Sequence, residues 1–143
     1  MPRQLGDPPF ADEEKLYRRL NADWIDSHGR VRDAAIDLLG TSVDRGLFGG
    51  PQECLARAGA DIVAVGAIAF GDIPSRFDAP PAASYESVVV YEPEHGNDAH
   101  SEIQFWRAGD SGPTKPKSNP MKAQIREQLA ARLVVHRRED SGI

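Results

Sequence analysis

The nine residues Ile62-Val63-Ala64-Val65-Gly66-Ala67-Ile68-Ala69-Phe70 constrain the fold more than any other stretch of the chain. They carry no charge and show no helical stripe, so both faces of whatever they form need cover. An apolar run of this length, bounded by Asp61 and Asp72, reads as a central strand buried on both sides. It is far short of the ~20 apolar residues a membrane span requires. Two further segments read as partner strands. Tyr85-Glu86-Ser87-Val88-Val89-Val90-Tyr91 is β-branched and aromatic. His100 to Arg107 alternates, with Ile103 and Phe105 on one face.

Helical signals surround these strands. Asp12-Glu13-Glu14 places acids where a helix first turn favours them, and Leu16, Leu20 and Trp24 recur every four residues. This predicts an amphipathic helix; a strand through Leu16–Leu20 is the competing reading, because the alternation is also two-fold. Val31 to Leu39 favours a helix. Gly49-Gly50-Pro51 punctuates the chain, and Pro51 suits a first helical position. A short helix from Pro51 to Ala58 is expected, stopped by Gly59, with Cys54 as a small buried residue. Ala108 to Ser118 is rich in Gly, Pro and Lys and reads as a mobile loop. Asn119 then caps a helix that begins at Pro120, with Met121, Ile125, Leu129 and Leu133 on one face. The expected fold is α+β: a single domain over 11–138 with one mainly antiparallel sheet of about three or more strands. Two to four helices pack on it, the last spanning 119–137. A flexible arm (1–10) precedes the domain and a tail (139–143) follows it.

The net charge of −5, from 17 Lys and Arg against 22 Asp and Glu, hides a bipolar chain. Residues 49–96 hold seven acids against Arg57 and Arg76, a local −5. Residues 115–138 hold seven bases against Glu127 alone, a local +6. Such a basic end can meet phosphates, although no aromatic residue is interleaved there to stack on bases. One cysteine excludes an intrachain disulfide. The first residues lack the apolar core of a secretory signal, so a cytoplasmic protein is expected. The function expected from these features is an interaction module with a protein or nucleic-acid partner. Its contacts would be Arg45, Lys115, Lys117, Lys122 and Arg126.

Three polar clusters remain. In Ser42-Val43-Asp44-Arg45, side chains can hold a turn, with Arg45 pairing with Asp44 or reaching back to Asp33 or Asp37. The functional alternative is an anion site made of Arg45, Ser42 and loop amides. Glu94-His95-Gly96-Asn97-Asp98-Ala99-His100-Ser101-Glu102 is the densest cluster. His100 and Glu102 share a strand face, and with His136 they have the residue set of an open iron or other divalent-metal site. His95, Asp98, His100 and Glu102 are the metal candidates, against the plainer reading of a polar turn entering a strand. In Tyr17-Arg18-Arg19 with Trp24, an Arg can grip an anion or simply cover core aromatics with its stem. The chain has no P-loop, no GxGxxG, no GxSxG, no HExxH and no CxxC, and the sequence names no cofactor.

Leu16-Tyr17-Arg18-Arg19, Trp24, Gly29-Arg30, Ala34-Ala35-Ile36, Ser42-Val43-Asp44-Arg45, Pro51-x-Glu53 and Ala99-His100 together resemble a loose family of small bacterial proteins, over residues 16–102. That resemblance implies no activity; it suggests that the clusters lie near one another. A fainter similarity is to small ADP-ribosyltransferase-like toxins, which use NAD. It implies Arg18 on the cofactor pyrophosphate, Ser42 shaping the nicotinamide pocket and Glu102 orienting the ribose. The Ser-Thr-Ser run usual in those enzymes is absent.

Overall fold

The computed structural model describes residues 1–138. The apolar run forms a strand, β4 (Ile62–Ala69), flanked on both sides by β2 (Lys15–Asn21) and β8 (Val134–Arg137). The other strands are β1 (Arg3–Leu5), β3 (Thr41–Arg45), β5 (Arg76–Phe77), β6 (Tyr85–Tyr91) and β7 (His100–Arg107). They make one eight-stranded sheet in the order β1-β6-β7-β3-β2-β4-β8, with β5 paired to β6. Every pairing is antiparallel except β1 with β6. The helices are α1 (Pro51–Ala56) and α2 (Asn119–Arg132).

This overturns the helix-packed α+β expectation: the chain is a sheet with one long helix. The segment expected as a first helix is β2. Its residues from Lys15 to Leu20 pair one by one with β4 from Ala69 to Ala64. Its even residues Leu16 and Leu20 pack with α2 while Tyr17 packs on the opposite face. Apolar residues on both faces produce a four-residue spacing that mimics a helix. Val31 to Leu39 holds only one turn of 3-10 helix, Asp33–Ala35. The final helix stops at Arg132 rather than 137. The Leu133 amide donates to Ala130, and the β-branched pair Val134-Val135 then enters the sheet. Ser118, not Asn119, caps α2, its hydroxyl accepting from the Met121 amide.

The main core lies between one sheet face and α2. Leu16, Leu20, Ile68, Phe77, Ile103 and Phe105 meet Met121, Ile125 and Leu129 there. Gly66 permits the closest approach. A Cβ at that position would stand 3.1 Å from the Leu133 Cβ, so a side chain would push the helix exit off the sheet. α1 covers the opposite face only over β2 and β4, through Cys54, Leu55, Tyr17, Val65 and Ala67. Over β3 and β7 that face carries polar side chains and is open. The first ten residues, expected as an arm, supply β1 and then Phe10, which is buried and stacked on Phe70 at 5.4 Å. The expected tail, 139–143, lies outside the described residues. Among the described residues, no helix is long and apolar enough to cross a membrane.

Candidate functional site

Two registers assemble the open polar face. β3 meets β7 with Ser42 opposite Glu102 and Asp44 opposite His100. β2 meets β3 with Tyr17 opposite Asp44. Beyond that pair β2 and β3 part, and the Arg18 guanidinium bridges the gap. Its Nε donates to the Ala35 carbonyl (2.9 Å) and one terminal nitrogen to the Ser42 carbonyl (3.1 Å), while the group stacks on Trp24 at 4.8 Å. A side chain thus supplies hydrogen bonds that the ladder no longer provides. Burial pulls the Arg18 pKa below its ordinary value, against the opposing charge of Asp37.

A cavity of about 220 Å3 opens where the strands part, lined among others by Arg18, Arg19, Ser42, Asp44, Asn97 and His100. Asp44 is its buried anchor. Its carboxylate accepts from Arg19 (3.0 Å), Arg57 (3.2 Å), the Cys54 thiol (3.1 Å) and the Asn97 amide (2.9 Å). Burial alone would raise the Asp44 pKa. The hydrogen bonds from Asn97 and Cys54 and the charge of Arg19 outweigh it and hold the carboxyl below its usual range. Cys54 responds in the opposite sense: burial, then the bond to Asp44 and its charge, push the thiol up to about 12. It is therefore no thiolate nucleophile.

His100 stands beside this anchor. Its Nδ1 is 2.8 Å from the Glu92 carbonyl and 3.4 Å from a Glu94 carboxylate oxygen, and its Nε2 is 3.4 Å from the Ser42 hydroxyl. Of the residues implied by the toxin resemblance, Arg18 and Ser42 therefore meet. Glu102 sits across from Ser42 but does not line the cavity. Its carboxylate accepts from Gln104 (3.1 Å), whose own carbonyl accepts from the Trp106 indole (2.9 Å). It also lies against Gly40, where a Cβ would collide with its carboxylate. His95 and Asp98 are exposed. Among the described residues, no three His, Cys, Asp or Glu side chains gather as a metal site, so the metal candidates do not assemble.

Arg45 is not available to a partner. It is 1% exposed and points to the face opposite Asp44, so the two do not pair. Its guanidinium makes a fork to Glu14 (2.8 Å twice), donates to the carbonyls of Pro8 (2.7 Å) and Pro9 (3.2 Å), and lies between the rings of Phe10 and Tyr91. Neither Asp33 nor Asp37 reaches it. The hub role of Asp44 has no sequence signal of its own: Arg19, the Cys54–Arg57 turn of α1 and Asn97 come from three separate segments.

The remaining basic candidates line two grooves. One of about 320 Å3 is bordered by Lys115, Lys117 and Arg107, with Tyr85 and Met121 beneath. The other, about 270 Å3, is lined by Lys115, Arg126, Arg18, Trp24 and Ile36. Lys115 borders both, and Arg18 borders the second groove and the Asp44 cavity. Lys122 lines neither groove but precedes Arg126 by one helical turn. Among the described residues, none of Lys115, Lys117, Lys122 and Arg126 forms an ion pair. The Nε of Arg126 is buried without a hydrogen-bond partner. Comparison with protein-family models, with curated proteins and with solved structures finds no match.

Proposed function

We propose that the chain is a binding module for an acidic segment of a protein partner, held along the grooves that meet at Lys115. The observation that carries this reading is the set of unpaired cations, Lys115, Lys117 and Arg126, around grooves with apolar floors. Among the described residues, Arg3, Arg19, Arg45, Arg57 and Arg76 elsewhere are each in an ion pair with a carboxylate of this chain, and Lys115, Lys117 and Arg126 are not. Apolar floors such as Ile36, Tyr85 and Met121 suit a peptide that alternates acids with apolar side chains. The only aromatic in the Arg126 groove, Trp24, is already covered by Arg18, so that groove offers no free platform for stacking bases.

A labelled peptide alternating Glu with Leu tests this by fluorescence anisotropy. Binding that weakens at least tenfold on K115E/K117E/R126E, and that weakens with salt, is the expected result. Equal affinity for the triple variant overturns it. Tighter binding of a single-stranded oligonucleotide of matched charge reassigns the surface to nucleic acid.

A further inference from the structure

We infer that Ser42 and His100 form a nucleophile–base pair that hydrolyses small carboxylic esters in the cavity between β2 and β3, an activity separate from the partner surface. The argument begins with the histidine tautomer. The Glu92 carbonyl, 2.8 Å from Nδ1, can only accept a hydrogen bond. The neutral ring therefore keeps its proton on Nδ1 and presents a bare Nε2. That bare nitrogen is the atom facing the Ser42 hydroxyl, at 3.4 Å, a separation found in unliganded sites that tighten when substrate binds. Glu94, 3.4 Å from Nδ1, stabilises the positive charge that the ring would take on. Nucleophile, base and orienting acceptor thus lie in one line.

The surroundings fit that use. Ser42 is exposed to solvent while His100 is buried, so substrate can reach the hydroxyl while the base is held in place. Arg18 and Arg19 line the same cavity. Arg18 makes hydrogen bonds through Nε and one terminal nitrogen only, and the Nε of Arg19 is buried without a partner. The positive charge of these two guanidinium groups favours the negative charge that develops on a carbonyl oxygen. Asp44, saturated by four donors, has no part in proton transfer. At about 220 Å3 the cavity admits a short acyl group.

The chemistry balances without a co-reactant other than water. The Ser42 oxygen bonds to the ester carbon as its proton passes to His100 Nε2. The bond to the leaving alcohol breaks and His100 returns the proton to that alcohol. Water then attacks the acyl-serine, giving its proton to His100. The carboxylic acid departs and Ser42 regains its proton.

Two probes test the pair: diisopropyl fluorophosphate followed by peptide mass mapping, and the burst and turnover of p-nitrophenyl acetate. The expected result is a diisopropylphosphoryl adduct on Ser42 and ester turnover that Ser42→Ala abolishes. His100→Gln, which keeps a donor for the Glu92 carbonyl but has no basic nitrogen, should lower turnover about 100-fold or more. Ser42 is exposed and on a paired strand, so Ser42→Ala should keep the wild-type circular dichroism spectrum and melting temperature. Absence of label on Ser42 in the wild-type chain overturns the proposal, as does turnover equal in wild type and Ser42→Ala. A weakened peptide interaction in the charge-reversed triple variant leaves this outcome unaffected, so the two readings stand or fall apart.

Discussion

Asp44 and Arg45 are neighbours on one strand, yet they anchor two different regions. The side chain of Arg45 enters the closed side, where Glu14, two proline carbonyls and two aromatic rings from its own chain surround it. Asp44 points to the other side, where its four donors leave a cavity open to solvent. Both are buried charges with charged partners. What separates them is what finishes the enclosure. The first cluster is sealed by the N-terminal segment, so its charge serves to fix that segment. The second is enclosed by Arg19, Asn97 and the Cys54 and Arg57 side chains of α1 yet stays open beside them, so its charge holds these groups around a space. A two-residue period thus converts one dipeptide into a bolt and a frame.

The most severe way to break the comparison is to remove the bolt. Arg45→Met leaves the Glu14 carboxylate and the Pro8 and Pro9 carbonyls without their donor, in a region that water barely reaches. Breaking a buried pair from one side costs about 3–5 kcal/mol, read as a fall in the urea midpoint with the slope unchanged. Glu14→Gln in the same chain should recover part of this, because the stranded charge is gone. An unchanged midpoint for Arg45→Met would show that residues 1–10 do not depend on the pair.

The frame should break more gently. Asp44→Asn removes the charge that faces Arg19 and Arg57, which are about a third exposed and can turn to water. A loss of about 1.5–3 kcal/mol is expected, the range of hydrogen bonds to a charged group. The pH dependence sharpens the contrast. A carboxyl held below its usual range contributes stability that is fully present above the unfolded-state pKa. The contribution is lost as pH falls through the depressed folded-state pKa. Wild type should therefore lose stability below about pH 4 more steeply than Asp44→Asn, measured as urea midpoints across pH 2–6. Parallel curves would mean that Asp44 does not hold its charge at low pH.

Much of the sheet was legible in the chain itself. The apolar run, Tyr85–Tyr91 and the alternating His100–Arg107 all became strands, and Met121, Ile125 and Leu129 did mark a helix face. β2 was misread because its two faces are both loaded: Leu16 and Leu20 on one side, Tyr17 on the other, with Arg18 stacked on Trp24 between strands. β8 was missed because Leu133 continues the four-residue spacing past the last helical turn, with no Gly or Pro to mark the stop. The site was legible as residue types but not as geometry. Ser42, Arg18 and His100 each belong to a visible cluster, but what joins them is strand register, which composition does not carry. Arg45 illustrates the limit most clearly. The sequence offers Asp44, Asp33 or Asp37 as its partner, and the actual one, Glu14, is fixed by the pairing of Leu16 with Arg45.

The finest test of the frame is Cys54. Burial is the largest cause of its raised pKa, and the Asp44 bond and charge add to it. Wild-type protein should thus react with a disulfide reagent at pH 8 only as fast as it opens. Asp44→Asn removes the charge and leaves burial, the largest cause, with the amide oxygen still able to accept from the thiol, so reactivity should rise by a modest factor, severalfold rather than a hundredfold. The rate must be corrected for any rise in opening, taken from hydrogen exchange of the β3 amides. A corrected rate equal to that of wild type would mean that the thiol does not sense the Asp44 charge, and that the carboxylate anchors the cavity through its arginines and Asn97 alone.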